Sequence, residues 1–144
     1  MGKIVAICRS REKGTRKNLF TEGVLQEEFG LLDDAHANPA THRQISLLAM
    51  ESIDRMRRLG FAVGPGDFAE NITTEAIDLL TLPVGSRLKV GDRAVLEITQ
   101  HGKNCHQSCA IFREMGKCIM PKEGVFARVI YGSRITVGDE VTPL

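Results

Sequence analysis

The chain has little excess charge of either sign. Nineteen lysines and arginines stand against eighteen acidic residues, which leaves a formal net charge of +1 over 144 residues. A protein that attracts nucleic acid or an acidic membrane through its overall field carries a clear basic excess. The balance therefore argues against nucleic acid and membrane as partners.

Long hydrophobic runs are also absent. No stretch approaches the roughly 20 apolar residues of a membrane-spanning helix. The N-terminal apolar run covers only residues 4–8 and has no small-residue cleavage site after it, unlike a secretory signal. We therefore expect a cytoplasmic protein. In that reducing compartment its four cysteines are expected to be catalytic, metal-binding or buried, not disulfide-bonded.

What is present is an ordinary globular composition, with 42% hydrophobic and 26% charged residues. A chain of this length buries roughly 68% of the surface that its unfolded form exposes. We predict a single domain over residues 1–144. The sequence gives no indication of the oligomeric state.

The pattern of apolar residues predicts a mostly β protein with one helix. Residues 3–8, 87–90 and 94–99 have the composition and boundaries of strands, and weaker strand signals lie within 20–32 and 44–48. Residues 49–59 repeat apolar side chains at spacings of three and four, which predicts a helix capped by Gly60. A doubly wound α/β fold needs several helices. The expected fold is therefore a closed or half-open β-barrel with helical decoration, an α+β architecture dominated by strands.

A short near-copy supports the β assignment. Residues 85–92 and 132–139 agree at six of eight positions, and both run from Gly-Ser-Arg to Val-Gly-Asp. Two copies of so short a unit do not make a solenoid. The repeat predicts that each copy forms an alternating strand that leads into a Gly-Asp turn.

Residues 101–118 concentrate the reactive side chains. The segment holds three of the four cysteines and two of the four histidines. A thiol acts as nucleophile, sulfur acceptor or metal ligand only as the thiolate, which nearby cations favour. Cys105 has Lys103, His101 and His106 close by in sequence. We predict Cys105 to be the reactive thiol, because these polar neighbours make the alternative, a buried structural cysteine, costly.

Two further interpretations of the cysteines remain open. Cys105, Cys109 and Cys118 could hold a structural zinc ion together with a histidine, although no second closely spaced pair exists. Cys109 could instead point inward from a short helix. Cys8 lies inside the first predicted strand and is expected in the core.

Other polar residues are weaker candidates. His36 follows Asp34 and could form an oriented acid–histidine pair, and His42 could meet a phosphate or carboxylate. Arg128 could bind an oxyanion through its guanidinium, with a salt bridge to Glu123 as the structural alternative. The basic segment 9–18 is expected to be a solvated loop, and contact with an anionic ligand or partner is its functional alternative.

Several ordered motifs resemble those of MOSC domains, especially the short bacterial forms. They are Gly-Lys-Asn-Cys-His-Gln-Ser-Cys at 102–109, Cys-Ile-Met-Pro-Lys-Glu-Gly-Val-Phe-Ala-Arg-Val at 118–129 and Val-Gly-Asp at 137–139. Upstream they continue as Asp-Ala-His-Ala at 34–37, His-Arg-Gln-Ile-Ser-Leu-Leu-Ala at 42–49 and Gly-Asp-Phe-Ala-Glu-Asn-Ile-Thr at 66–73. The resemblance implies a β-barrel. Asp33 and Ala76 stand where such domains usually have glycine.

The resemblance also implies a function. Members of the family are thought to accept sulfur as a persulfide or to ligate molybdenum in its pterin cofactor, and the Gly-Lys-x-Cys motif places that role on Cys105 as catalytic residue and metal ligand. It implies that the molybdenum cofactor is bound by five residues: Lys103, Arg128, Arg43, His36 and Asn71.

The implied partners are a cysteine desulfurase or a molybdopterin-handling protein. The sequence has no recognisable lysine motif for pyridoxal phosphate, so that cofactor is expected on the partner desulfurase. Some larger relatives reduce N-hydroxylated compounds. A small molybdenum-dependent reductase is therefore an alternative function, and a structural zinc-binding domain is another.

Overall fold

A computed structural model describes residues 2–13, 15–102 and 119–144. Its helices are α1 (Met50–Arg58) and α2 (Met120–Glu123), with a 3-10 turn at Leu79–Thr81. The strands are β1 (Gly2–Arg9), β2 (Asn18–Phe20), β3 (Glu22–Gln26), β4 (Gly30–Leu31), β5 (Ile45–Ala49), β6 (Ile72–Glu75), β7 (Arg87–Val90), β8 (Ala94–His101), β9 (Val125–Tyr131), β10 (Ser133–Thr136) and β11 (Glu140–Pro143).

Seven strands close into a barrel in the order β11-β7-β8-β9-β5-β6-β1, and the pairing of β1 with β11 completes the ring. Of the two forms that the sequence left open, the closed barrel is the one observed. Closure removes free sheet edges from these strands. β2 pairs with β1 outside the ring, and β10, β3 and β4 form a separate small sheet.

The barrel strands divide their side chains between two cores, because successive residues of a strand point to opposite faces. Leu47 of β5 and Ala127 of β9 belong to the cluster that fills the barrel. Their neighbours Leu48 and Phe126 belong to a second cluster, which also contains side chains of α1. This explains why β5 is apolar without alternation: both of its faces are covered.

The predicted helix is confirmed with its ends trimmed by one residue each. Ala49 and Leu59 are its caps, and Ile53 and Met56 are buried on its inner face. Gly60 follows with a φ of 101°, in the left-handed region where glycine is favoured. Among the described residues, neither helix has the length and hydrophobicity needed to cross a bilayer.

The two departures from the usual glycines both occupy strained backbone. Asp33 has a φ of 68° and Ala76 a φ of 61°. A side chain in this left-handed region clashes with its own backbone, and glycine avoids that clash. Glycine would therefore suit both positions better, and this chain adopts the left-handed geometry there with a side chain in place.

The near-copy forms two strands, as predicted, but in different sheets. β7 lies in the barrel, whereas β10 pairs with β3 in the small sheet. The first glycine of each copy has a different role. Gly85 has a φ of 95° and open space around it, while a Cβ on Gly132 would lie 2.3 Å from the carbonyl oxygen of Leu25.

Candidate functional site

Two loops meet on one side of the barrel. One joins β1 to β2, and the other joins β4 to β5. The Ala35 N–H donates to the Ser10 carbonyl at 2.8 Å, and the Ser10 N–H donates to Asp34 Oδ1 at 3.0 Å. These reciprocal bonds hold the second loop against the first, and they bring basic residues of the first loop to polar residues of the second.

A buried ion pair lies where the loops meet. Lys17 Nζ is 2.6 Å from Asp34 Oδ1, and both side chains are fully shielded from solvent. The ammonium group also donates to Ser10 Oγ at 3.3 Å, while Asp34 Oδ2 accepts the His36 N–H at 3.1 Å. Burial raises the pKa of Asp34, but polar contacts with His36 and Lys17 and the charge of Lys17 outweigh it and hold the pKa well below its usual range.

The burial of Lys17 differs from the prediction that the basic segment 9–18 is a solvated loop. A lysine is almost never fully buried unless it is paired, and Asp34 provides the partner here. The sequence of the basic segment does not indicate that Lys17 points inward, because its partner Asp34 lies in a different loop.

His36 lies beside this ion pair, but its ring makes no hydrogen bond with Asp34 of the kind that an oriented acid–histidine pair requires. Its Nδ1 atom is 3.1 Å from Lys17 Nζ and 3.6 Å from Asp34 Oδ2. A quarter of the His36 side chain remains exposed. The imidazole therefore has one nitrogen against the buried pair and one side towards solvent.

The exposed side of His36 lines a pocket of about 210 Å³. The other lining residues are Lys13, Asn38, Thr41, Arg43 and Phe126. The Arg43 guanidinium carbon lies 5.9 Å from the centroid of the Phe126 ring, within cation–π range. Two of the residues proposed from the sequence, His36 and Arg43, thus share one pocket. In the part of the chain that the structure describes, its lining holds two cations and no carboxylate, which suits an anion.

The pocket lies next to the end of β8. Phe126, which lines the pocket, is paired with Gln100 in the sheet. Gln100 Oε1 is 2.7 Å from Nε2 of His42, and Gln100 Nε2 donates to the Gly102 carbonyl at 2.7 Å. His42, expected to meet an anion, therefore contacts an amide. Beyond Gly102 the chain continues to Lys103 and Cys105, which both lie outside the described residues.

Arg128 lies away from the pocket lining and binds carboxylates. Its Nε donates to Glu97 at 3.0 Å and its Nη1 to Glu28 at 2.6 Å. The alternative salt bridge to Glu123 is wrong, because Glu123 contacts Arg55 and accepts a bond from Ser52 Oγ at 2.8 Å. These partners belong to elements that are distant in sequence, so spacing could not identify them.

Asn71 is fully buried in the core. Its Oδ1 accepts the Ser46 N–H at 2.9 Å, and its Nδ2 donates to the Cys8 carbonyl at 3.1 Å. The amide therefore ties β1 to β5. The structure places Asn71 in the framework behind the site and not among the pocket-lining residues.

Cys8 is a core residue, as expected. It is fully buried, and burial is the main reason that its pKa is raised to about 12. Cys109, Cys118 and His106 lie outside the described residues together with Cys105. Within the described ranges no group of three or more His, Cys, Asp or Glu side chains could hold a metal ion.

A larger cavity of about 440 Å³ borders the same β1–β2 loop. It is lined by Arg9, Arg11 and Arg16, but also by Glu12 and Asp33. The Arg9 guanidinium stacks 3.7 Å from the centroid of the Phe20 ring. Charges of both signs meet in this cavity, so it is a less selective anion site than the pocket of His36 and Arg43.

A sequence model described as "MOSC domain" matches residues 33–142, which is most of the chain. The chain belongs to the MOSC domain family. This family is known from molybdenum-cofactor-related proteins. Lys13 lines the pocket but lies upstream of the matched residues, so this MOSC domain completes its pocket with a residue from outside the match.

Solved structures share the fold of this MOSC domain at low sequence identity. The YuaD protein from Bacillus subtilis is 17% identical with a TM-score of 0.80, and the match covers 98% of this chain and 94% of YuaD. YiiM from Geobacillus stearothermophilus is 18% identical with a TM-score of 0.76, over 100% of this chain and 75% of YiiM. YiiM from Escherichia coli is 18% identical with a TM-score of 0.66, over 99% and 69% of the two chains. No curated protein sequence matches the chain.

The sequence did not identify Lys13 and Lys17 of this MOSC domain as part of the site. Lys13 lines the pocket and Lys17 supports His36 from behind. The one available signal was the basic character of residues 9–18. That signal gave no way to separate these two lysines from Arg11 or Arg16.

Proposed function

We propose that this MOSC domain carries sulfur as a persulfide on Cys105, or ligates molybdenum of the pterin cofactor through the same thiolate. The pocket of His36 and Arg43 would hold the anionic part of the ligand. The observation that carries the proposal is the location of this pocket next to the end of β8, since the chain leaves that strand through Gly102 and continues directly to Cys105.

The lining of the pocket fits a phosphate group. Lys13 and Arg43 supply positive charge, and His36, Asn38 and Thr41 supply polar groups that can donate hydrogen bonds. The buried carboxylate of Asp34, behind His36, is neutralised by Lys17 at 2.6 Å. An anion in the pocket therefore meets cations without facing an unpaired negative charge from Asp34.

The molybdenum cofactor, when bound, would supply a metal centre that accepts a thiolate ligand. On this proposal Lys13, Arg43 and His36 bind its phosphate and orient it. The side chains of Arg128 and Asn71 already have protein partners, so we assign them supporting roles. Lys103 would favour the thiolate of Cys105 through its charge.

Sulfur transfer requires a partner in this proposal. The thiolate of Cys105 would attack the outer sulfur of a persulfide on a cysteine desulfurase, forming a new S–S bond while the bond in the donor breaks and the donor leaves as a thiolate. The desulfurase would carry the pyridoxal phosphate. A molybdopterin-handling protein would be the acceptor of the sulfur.

Mass spectrometry tests the sulfur-carrier form directly. The purified chain is incubated with a cysteine desulfurase and cysteine, and the intact protein is weighed. We expect the added mass of one sulfur atom on the wild type and no addition on Cys105→Ser. Peptide mapping should place the sulfur on the peptide that contains residue 105.

Cys8 is the internal control in the same experiment. Its burial and raised pKa make it a poor nucleophile, so its peptide should stay unmodified. Equal sulfur addition to wild type and Cys105→Ser would refute the carrier role of Cys105. Molybdenum analysis after reconstitution tests the other form: metal retained equally by Cys105→Ser would refute ligation by that thiol.

A further inference from the structure

The buried ammonium of Lys17 determines which nitrogen of His36 carries the proton. An ammonium group has three donors and no acceptor. Lys17 Nζ is 2.6 Å from Asp34 Oδ1, 3.3 Å from Ser10 Oγ and 3.1 Å from His36 Nδ1. Each of the three N–H donors of Lys17 therefore points at one of these atoms. The contact with Nδ1 is a hydrogen bond only if Nδ1 is the acceptor.

The competing arrangement fits the distances less well. A proton on Nδ1 would have to point to Asp34 Oδ2, which is 3.6 Å away and beyond hydrogen-bonding distance. It would also face the ammonium group of Lys17. Asp34 Oδ2 already accepts the backbone N–H of His36 at 3.1 Å. The ring with its proton on Nε2 therefore accepts a hydrogen bond from Lys17 at 3.1 Å, while its 3.6 Å contact with Asp34 Oδ2 is not a hydrogen bond.

We propose that Lys17 is a positioning residue, which fixes His36 as the Nε2–H tautomer so that the imidazole serves the pocket as a hydrogen-bond donor to an oxyanion. Among the described residues no group bonds to Nε2, while the ring itself lines the pocket with Lys13 and Arg43. The inference rests on the proposed function in taking the same pocket as the ligand site.

The same geometry makes His36 unsuited to a metal ion. A histidine that binds a metal through one nitrogen usually donates its other N–H to a carboxylate or carbonyl. Here the other nitrogen faces a donor, so ligation through Nε2 would leave both ring nitrogens without a proton. The ligand class that the pocket selects is therefore an anion such as a phosphate group.

Nitrogen NMR of the ¹⁵N-labelled full chain tests the tautomer. Long-range proton–nitrogen correlations distinguish a protonated ring nitrogen from an unprotonated one. We expect His36 to show an unprotonated Nδ1 and a protonated Nε2 at neutral pH. In Lys17→Met the unprotonated Nδ1 signal should be lost or shifted, while His42, whose contact is with Gln100, keeps its signals.

Titration with inorganic phosphate tests the donor role. Phosphate should shift the Nε2–H signal of His36 in the wild type, and Lys17→Met should bind it about tenfold more weakly, the effect of one hydrogen bond to a charged group. Lys13→Met is the matched control. Lys13 is exposed and lines the pocket, so its loss should weaken binding by removing charge while Nδ1 of His36 stays unprotonated.

Three results would overturn the inference: a proton on Nδ1 of His36 in the wild type, no phosphate-dependent shift at His36, or an unchanged tautomer in folded Lys17→Met. The wild-type spectrum decides the first two if Lys17→Met does not fold. None of these measurements involves Cys105. A wild type that takes no sulfur but shows the expected tautomer and phosphate shift would refute the proposed function alone.

Discussion

Replacing Asp34 by asparagine should destabilise the protein by about 3–5 kcal/mol, the usual effect of leaving one member of a buried ion pair without its partner. The carboxylate and the Lys17 ammonium are 2.6 Å apart and fully shielded. Asparagine is nearly the same size, so the change removes charge without opening a cavity. Its amide nitrogen would also face the N–H group of Ser10 or of His36, which both donate to the carboxylate.

Urea unfolding at neutral pH measures the loss, and Asp54→Asn is the matched control. Asp54 forms an exposed i,i+3 pair with Arg57 at 3.7 Å, so its replacement should change the free energy of unfolding by no more than about 0.5 kcal/mol. The double replacement Lys17→Met with Asp34→Asn should recover part of the loss, because no buried charge is left unpaired and the amide oxygen can still accept one backbone N–H. A folded Asp34→Asn variant within about 1 kcal/mol of the wild type would refute the reasoning.

The same ion pair predicts a pH dependence. The pKa of Asp34 in the folded protein is held below its ordinary value of 3.8. The pair therefore stabilises the protein fully above that value, and its contribution is lost as the pH falls towards the lower folded pKa. The stability difference between wild type and Asp34→Asn should shrink as the pH falls below 3.8. A difference that stays constant there would contradict the assignment.

Three further perturbations test the framework by chemical unfolding. Ala76→Gly should stabilise the protein by about 0.5–1 kcal/mol, because it relieves left-handed backbone at a φ of 61°. Glu70→Gln should gain stability relative to the wild type as the pH rises above 4.5, since burial raises the pKa of Glu70 and Gln can still accept the bond from Thr73 Oγ1. Gly132→Ala should destabilise by about 2 kcal/mol or more, because its Cβ would lie 2.3 Å from the carbonyl oxygen of Leu25.

Each of these changes has its own control. Ala40→Gly, at an exposed loop position outside the left-handed region, should lose stability where Ala76→Gly gains it. The Glu70→Gln difference should become independent of pH well below 4.5, where the wild-type carboxyl is protonated in both the folded and the unfolded protein. A Gly132→Ala variant as stable as the wild type would show that the backbone around Leu25 relaxes freely.

The sequence predicted best those helices and strands whose signals come from residues close together in the chain. The helix over residues 49–59 and the strands at 87–90 and 94–99 were found because periodicity and turn residues act locally. β6 and β11 were missed. The segment Ile72–Glu75 does not alternate, since three of its four residues are buried. β11 ends in Pro143, which is a poor signal for a strand.

The candidate site was predicted less completely. His36 and Arg43 were identified from motifs and do lie in one pocket. Arg128 was identified in the same way, but carboxylates of Glu28 and Glu97 bind it from other parts of the chain. The motif that contains Asn71 marks a buried amide that ties two strands together. A motif shows that a position matters, but not whether it serves the ligand or the framework.

The sequence by itself determined the mostly β architecture, the helix α1 and the family motifs, because these depend on neighbours along the chain; the reactivity of Cys105 stays a prediction. Only the tertiary structure decided that the barrel closes, through β1 and β11 at opposite ends of the chain. It also decided that Lys17 is buried against Asp34 and His36. A charged side chain can leave water only where a partner is in place to pair with it, and that partner comes from a loop that sequence spacing does not locate.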